Sequence, residues 1–172
     1  RYKKSNLFDV SHMGQIEIIG QKAEQFLNRL VFSNVSKLQN CQSQYSLLLN
    51  EDAGIIDDLI ITKNPNNYTI VSNASNKYEV LNYLNYHKNR FDSEIIINNL
   101  DYLDLIALQG DDSGDILNIL FNDDNIKNSV PKMGVIYKKF NNEIVGISRT
   151  GYTGADGFEI SIPKEHTVEL FS

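Results

Sequence analysis

Two short polar breaks, each lying between β-rich runs, constrain the fold of this chain more than any other feature. They are residues 63–67, between the runs 55–62 and 68–72, and Asn141-Asn142, between the runs 133–140 and 143–149. Asn, Pro and Lys in so short a break indicate a β-hairpin, whose two strands pair antiparallel. The breaks therefore argue against a doubly wound parallel sheet.

Helical periodicity alternates with these strands. Apolar residues recur at helical spacing in residues 21–32, 76–90 and 111–121, and a last helix is expected from Pro163. Ser75 is the expected N-cap of the second helix. Further strands are predicted at residues 13–19, 45–49, 95–97, 102–108 and 157–162.

This alternation predicts an α+β fold with antiparallel and mixed sheets and packed helices. Residues 59–162 follow something like the β-α-β-β-α-β rhythm of a ferredoxin-like lobe. We place a soft boundary near Leu49, giving an N-terminal lobe at 1–49 and an α+β lobe at 50–172, with interleaving allowed because no Pro/Gly/Ser linker separates them. The first residue is not Met and the last residues read as helix, so we expect a piece of a longer protein.

Charge and cysteine content exclude several classes of protein. The net charge of −6 argues against a dedicated nucleic-acid binder, which normally presents a basic face. The single cysteine, Cys41, cannot form a disulfide within the chain, so a secreted disulfide scaffold is not expected. The sequence also contains no run of about eighteen apolar residues, which a membrane helix would need.

Asp57 and Asp58 are adjacent carboxylates inside an apolar β-rich run. On a strand their side chains point to opposite faces, so at least one meets the core or a cavity. A buried carboxylate persists only with partners, and one presented to a ligand is a functional candidate. The structural alternative is that both cap a bulge or hydrogen-bond to nearby backbone.

A glycine-rich stretch at residues 148–160 lies between two predicted strands. Gly151, Gly154 and Gly157 are evenly spaced, and neither a Walker A loop nor a Rossmann fingerprint is present. A tight hairpin turn is the structural alternative. Glu159 places another carboxylate among apolar strand residues, between Phe158 and Ile160.

Three further features are weaker by themselves. Asp9, Ser11 and His12 invite a triad interpretation, but triad members converge through a fold, so a structural role for His12 is favoured. Asn73, at a predicted strand end, can offer a donor and an acceptor to a planar heterocycle, although a strand exit followed by an N-cap is the favoured explanation of this segment alone. No His, Cys or Asp cluster has metal-ligand spacing, so no metal site is predicted.

Five segments in this order resemble the T-proteins of the glycine cleavage system, which are folate-dependent aminomethyltransferases. They are residues 8–13 (Phe-Asp-Val-Ser-His-Met), 54–60 (Gly-Ile-Ile-Asp-Asp-Leu-Ile), 71–74 (Val-Ser-Asn-Ala), 105–110 (Leu-Ile-Ala-Leu-Gln-Gly) and 149–160 (Arg-Thr-Gly-Tyr-Thr-Gly-Ala-Asp-Gly-Phe-Glu-Ile). The resemblance runs through essentially the whole chain. It implies the first two of three lobes around a folate cavity, with the C-terminal lobe and a folate-binding arginine lying beyond this chain.

The resemblance also implies a reaction. A one-carbon unit passes from the aminomethyl-lipoyl arm of an H-protein to tetrahydrofolate, and ammonia is released. Asp58 is implied as the key carboxylate at the reactive folate nitrogens, with Asp57 either structural or supporting the site from behind it. Glu159 is implied to bind the amino-pyrimidine edge of the pterin, while the pocket is lined by Asn73, Met13, Ile60 and Tyr152. This chain alone is expected to be inactive and to bind folate weakly or not at all.

Three positions depart from the family pattern. Ala155 replaces an acidic residue, Ala53 a second glycine and Asp111 a proline, and all three leave Asp58 and Glu159 in place.

The alternatives to the transferase are a folate-binding relative without transferase activity, the folate domain of a dimethylglycine or sarcosine dehydrogenase, and a partner-binding domain that has lost folate. The iron–sulfur assembly relatives usually carry Lys-Gly-Cys-Tyr-x-Gly-Gln, which this chain lacks. The expected compartment is the mitochondrial matrix in a eukaryote and the cytoplasm otherwise.

Overall fold

The structure, a computed structural model, describes residues 5–151 and 156–171. The strands are β1 (Asn6–Asp9), β2 (Gly14–Ile19), β3 (Gln42–Leu49), β4 (Ile55–Lys63), β5 (Tyr68–Ser72), β6 (Ile96–Asn99), β7 (Leu103–Gln109), β8 (Val135–Phe140), β9 (Glu143–Ser148) and β10 (Gly157–Pro163). The helices are α1 (Ala23–Leu30), α2 (Lys77–Phe91), α3 (Ser113–Leu120), α4 (Ile126–Ser129) and α5 (Thr167–Leu170).

The chain divides into two compact units, one inserted into the other. Residues 13–101 form the inserted unit, and residues 1–12 with 102–172 form the flanking unit. These units differ from the lobes expected at 1–49 and 50–172, because β3 and β4, on either side of Leu49, pair along their length in one sheet. The stretch 59–162, expected to be ferredoxin-like, runs from the inserted unit into the flanking unit and is not a unit by itself.

The inserted unit contains a sheet of strand order β3-β4-β5-β2-β6, in which every pairing is antiparallel. Strand alternation turns one face toward α1 and α2, where burial of apolar area stabilises the unit. The core residues on that face and on the two helices include Ile16, Ile18, Leu59, Ile61, Ile70, Phe26, Leu27, Val80 and Leu84. The opposite face carries Tyr45, Asp58 and Ile60, since these alternate with the core residues.

The flanking unit contains a second antiparallel sheet, of order β1-β7-β10-β9-β8. Its core combines strand residues with the two short helices between β7 and β8 and with the last helix, and includes Ile106, Leu108, Ile147, Phe158, Ile160, Leu117, Ile126 and Leu170. The α+β class is thus confirmed, with both sheets antiparallel in the described residues where mixed sheets were also expected.

Both predicted hairpins are confirmed. β4 and β5 are joined through a turn in which the Asn64 N–H donates to the Asn67 carbonyl at 2.8 Å. β8 and β9 are joined by Asn141 and Asn142, with φ of 48° and 70°, the left-handed pair that a two-residue hairpin requires.

The expected N-cap of α2 was wrong. The cap residue is Asn76, and its side chain makes no capping hydrogen bond because its amide donates to Asp57 instead.

Candidate functional site

Asp57 and Asp58 lie on opposite faces of β4, as strand alternation predicts. Asp57 is buried, with 3 % of its surface exposed, whereas Asp58 is exposed. The register of β4 against β3 shifts between Leu48 and Leu49, which marks a bulge immediately before Asp57. A bulge beside the two carboxylates was one of the structural alternatives for this pair.

The side chain of Asn73 joins the two carboxylates. Its amide nitrogen lies 2.9 Å from Oδ1 of Asp57 and 2.7 Å from Oδ1 of Asp58. It also lies 3.2 Å from the main-chain oxygen of Asp58, and the backbone N–H of Asn73 donates to Oδ2 of Asp57 at 2.9 Å. Charged acceptors make these hydrogen bonds stronger than neutral ones. Asn73 is therefore fixed where β5 ends.

Tyr45 was not singled out in the sequence, yet it lies beside Asp58. β3 pairs with β4 so that Leu47 faces Asp58 and Tyr45 faces Ile60, which places the phenol diagonally across from the carboxylate. Partial loss of solvent around the half-exposed Tyr45, followed by the charge of Asp58, raises the pKa of the phenol.

Met13 and Ile60 border the same region. Ile60 is 6 % exposed and shares the face of Asp58, and Met13, which is partly exposed, immediately precedes β2. The next residue, Gly14, pairs with Ser72, and a Cβ on Gly14 would lie 2.4 Å from the Ser72 hydroxyl. Close packing at this point brings the start of β2 against the end of β5, next to Asn73. The inserted unit thus brings together four of the predicted site residues: Asp58, Asn73, Met13 and Ile60.

Glu159 lies in the flanking unit, on β10 opposite Ser148 of β9. It is 7 % exposed and accepts a hydrogen bond from the Thr150 hydroxyl, which also contacts the Ser148 hydroxyl at 3.1 Å. Burial raises the pKa of the Glu159 carboxyl, and the Thr150 hydrogen bond offsets part of this shift. The buried Glu159 carboxyl thus has a neutral hydrogen-bond donor beside it, the Thr150 hydroxyl.

The glycine-rich segment around Glu159 is held by Gln109. A Cβ on Gly157 would lie 2.1 Å from the Gln109 side-chain oxygen, and one on Gly151 would lie 2.5 Å from it. A larger residue at either position would thus require the Gln109 side chain to move. A groove of about 480 Å³ lies beside Thr150, Gly151 and Asp156. Tyr152, the remaining predicted pocket residue, and Ala155 lie outside the described residues.

In the segment Asp9–His12, the side chains of Asp9 and Ser11 hydrogen-bond to backbone groups. The Asp9 carboxylate accepts a hydrogen bond from the Ser11 N–H at 3.0 Å. The Ser11 hydroxyl exchanges hydrogen bonds with the backbone of Leu105, while His12 is exposed. The Ser11 hydroxyl is thus engaged with backbone groups.

Within residues 5–151 and 156–171, no group of three or more His, Cys, Asp or Glu side chains is arranged to hold a metal ion. In the same part of the chain, no helix has the length and apolar character needed to cross a membrane.

Comparison with known proteins identifies the class to which this fold and site belong. Residues 2–172 match the family model described as the GCVT N-terminal domain, so the chain belongs to that family. Among the curated relatives, the aminomethyltransferase of Bacillus pumilus is 39 % identical over 98 % of this chain, and that of Chlorobium limicola is 37 % identical over 98 %. The chain spans about half the length of these relatives, 46 % in both cases.

Solved structures support the same assignment. The glycine cleavage system aminomethyltransferase T of Bartonella henselae is 34 % identical, with a TM-score of 0.87 over 98 % of this chain and 45 % of its own. The heterotetrameric sarcosine oxidase of Corynebacterium sp. U-96 has a TM-score of 0.67 at 14 % identity, over 96 % of this chain and 80 % of its own, which shows a shared fold alone.

Proposed function

We propose that the full-length protein to which this chain belongs is the aminomethyltransferase of a glycine cleavage system. It transfers a one-carbon unit from the aminomethyl-lipoyl arm of an H-protein to tetrahydrofolate and releases ammonia. The observation that carries this proposal is the Asp58 carboxylate, held by Asn73 on a scaffold that resembles the aminomethyltransferase T of Bartonella henselae.

The geometry around Asp58 suits the proposed chemistry. Methylene transfer to a folate nitrogen develops positive charge on nitrogen, which a nearby carboxylate stabilises. Asn73 hydrogen-bonds to Asp58, Tyr45 lies diagonally across from it, and Ile60 provides an apolar surface on the same face. We therefore assign charge stabilisation to Asp58, with Met13, Ile60 and Asn73 bordering the folate.

Glu159 is proposed to bind the amino-pyrimidine edge of the pterin. Two carboxylate oxygens can accept two adjacent N–H donors, a geometry that an isolated hydroxyl cannot supply. Burial raises the pKa of the Glu159 carboxyl by disfavouring its ionised form, and the paired N–H donors of a bound pterin would offset that effect. Tyr152 remains a predicted pocket residue by resemblance.

The test is transfer by the full-length protein from aminomethylated H-protein to tetrahydrofolate, followed by release of ammonia. Asp58→Asn should reduce the rate by about 100-fold or more while the protein keeps its fold, because it removes the charge but not the shape. Asp111→Asn makes the same chemical change at an exposed residue of the flanking unit and should leave the rate unchanged. A wild-type protein that binds tetrahydrofolate without releasing ammonia would instead favour the folate-binding relative.

We make two further proposals, one on folate binding by this chain alone and one on the cellular compartment. The isolated chain should bind tetrahydrofolate weakly or not at all, and tight binding by calorimetry would contradict this. The compartment is the mitochondrial matrix if the source is eukaryotic and the cytoplasm otherwise.

A further inference from the structure

We propose that Asp57 is a positioning residue that orients the Asp58 carboxylate through the side-chain amide of Asn73. Asn76 completes the arrangement by donating to Asp57. This inference rests on the proposed function, in which Asp58 contacts the reacting folate. The buried carboxylate of Asp57 would thus keep the exposed carboxylate of Asp58 in its orientation.

The Asp57 carboxylate is surrounded by hydrogen-bond donors. Its Oδ2 accepts from the Asn73 backbone N–H, and its Oδ1 accepts from the side-chain amides of Asn73 and Asn76, each at 2.9 Å. All three are donors, a set that a carboxylate satisfies and a carboxamide does not, because an amide nitrogen cannot accept. Since Asp57 is 3 % exposed, water cannot readily replace these partners.

The orientation of Asn73 is set by these contacts. Its side-chain nitrogen carries two hydrogens and lies within 3.2 Å of three acceptors, Oδ1 of Asp57 and both Oδ1 and the main-chain oxygen of Asp58. Turning the amide over would aim its oxygen at two carboxylates. Asp57 therefore keeps the Asn73 nitrogen pointed at the Asp58 carboxylate.

Asn76 anchors this arrangement to α2. Its side-chain nitrogen donates to the Ile56 carbonyl at 3.1 Å as well as to Asp57, and its backbone N–H donates to the Asn73 carbonyl at 3.1 Å. β4, the end of β5 and the start of α2 thus meet at one buried carboxylate. Partners of this kind are what hold an active group in its productive geometry.

The experiment compares wild type with Asp57→Asn in the full-length protein. The substitution preserves the volume of the side chain but replaces one carboxylate oxygen with an NH₂ group. That NH₂ group meets an N–H donor where an acceptor is needed, so Asn73 is released from Asp58. Asp58 then loses a hydrogen bond that orients its carboxylate. We expect kcat to fall by about 10–100-fold, the range for partners that orient an active group. KM for the H-protein should be unchanged.

A second measurement does not depend on activity. ¹H–¹⁵N NMR of the side-chain amides, with the Asn73 signals assigned by their loss in Asn73→Ala, reports how that amide is held. The Asn73 amide hydrogens should exchange faster with water in Asp57→Asn than in wild type, because the amide loses its partner. An unchanged exchange rate of the Asn73 amide overturns the inference, and it does so whether or not the wild type transfers the one-carbon unit. Faster exchange in Asp57→Asn, together with a wild-type protein that shows no transfer, supports the positioning role and contradicts the proposed function.

Asn76→Ala keeps the proposal testable if Asp57→Asn fails to fold. It removes one donor from Asp57, and the remaining two keep Asn73 partly held. A smaller increase in the exchange rate of the Asn73 amide, with a loss of kcat of about threefold to tenfold, is then expected. A folded Asn76→Ala protein with wild-type kcat and a wild-type exchange rate of the Asn73 amide would count against the proposal.

Discussion

Arg149 and Asp156 form a two-point ion pair. Nε of Arg149 lies 2.8 Å from one carboxylate oxygen of Asp156, and Nη2 lies 2.5 Å from the other. The third nitrogen, Nη1, donates to the carbonyl of Val130 at 3.1 Å and to that of Lys127 at 3.3 Å. The guanidinium therefore ties β9, the α4 region and the residue before β10 together, because its planar fork reaches all three.

Arg149→Lys should destabilise the protein by roughly 2 kcal/mol, since an ammonium cannot reproduce the fork and leaves two carbonyls without their donor. Urea unfolding of the full chain measures the change. Arg90→Lys is the matched control, because Arg90 is exposed and its guanidinium packs over the Tyr86 ring. Equal losses of unfolding free energy in the two variants would show that the forked geometry of the Arg149–Asp156 pair does not add to stability.

Gly157→Ala should destabilise the protein by about 1–3 kcal/mol, the usual effect of overpacking a well-filled interior. The added methyl would meet the buried Gln109 side chain. In a Gln109→Ala background the same substitution should be less harmful, since the obstructing group is gone. A double-mutant cycle by urea unfolding gives the coupling between the two positions, and a coupling of zero would contradict this packing interpretation.

Glu159→Gln should remove a pH dependence of stability. Burial raises the folded-state pKa of Glu159 above its ordinary value of 4.5, so the wild type loses stability as the pH rises from 4.5 to the folded-state pKa. Below pH 4.5 both forms carry a neutral side chain, and the two proteins should be nearly equally stable. Above the folded-state pKa the variant should be the more stable one, by a constant amount. Unfolding at a series of pH values tests this, and a variant less stable at neutral pH would contradict it.

Ala53→Gly should stabilise the protein by about 0.5–1 kcal/mol. Ala53 has a φ of 60°, in the left-handed region where a Cβ is unfavourable, and glycine removes that cost at the expense of a more flexible unfolded chain. Ala23→Gly, at the start of α1, should have the opposite effect, because that residue is helical and buried. Thermal unfolding of both variants distinguishes a backbone effect from a general effect of glycine.

Local signals in the sequence predicted the parts of the fold that depend on neighbouring residues. Asn141-Asn142 was identified as a hairpin because Asn tolerates positive φ, and the structure has positive φ at both residues. The opposite orientation of Asp57 and Asp58 follows from strand alternation alone. β1, by contrast, was not predicted, since its four residues have little alternation and its pairing with β7 is remote in sequence.

The candidate site shows the same limit. Asp58, Asn73 and Glu159 were identified by their residue types and their resemblance to a family. The neighbour Tyr45 was missed because its place beside Asp58 depends on the register of β3 against β4, which no local pattern reveals. The donation from Asn76 to Asp57 was missed for a related reason, because the sequence placed Asn76 inside the predicted helix with Ser75 as its cap, and its contact with β4 is remote in sequence.

The pairing of β1 with β7 has a consequence for synthesis of the chain. Residues 13–101 hold every strand of their own sheet, so this segment can complete its pairing while the ribosome is still adding residue 102 and its successors. β1 is made before the inserted unit, yet its partner β7 is made after that unit, and β7 pairs on its other edge with the still later β10. Non-local pairing of this kind forms slowly, so β1 is expected to acquire its native contacts after the inserted sheet has formed.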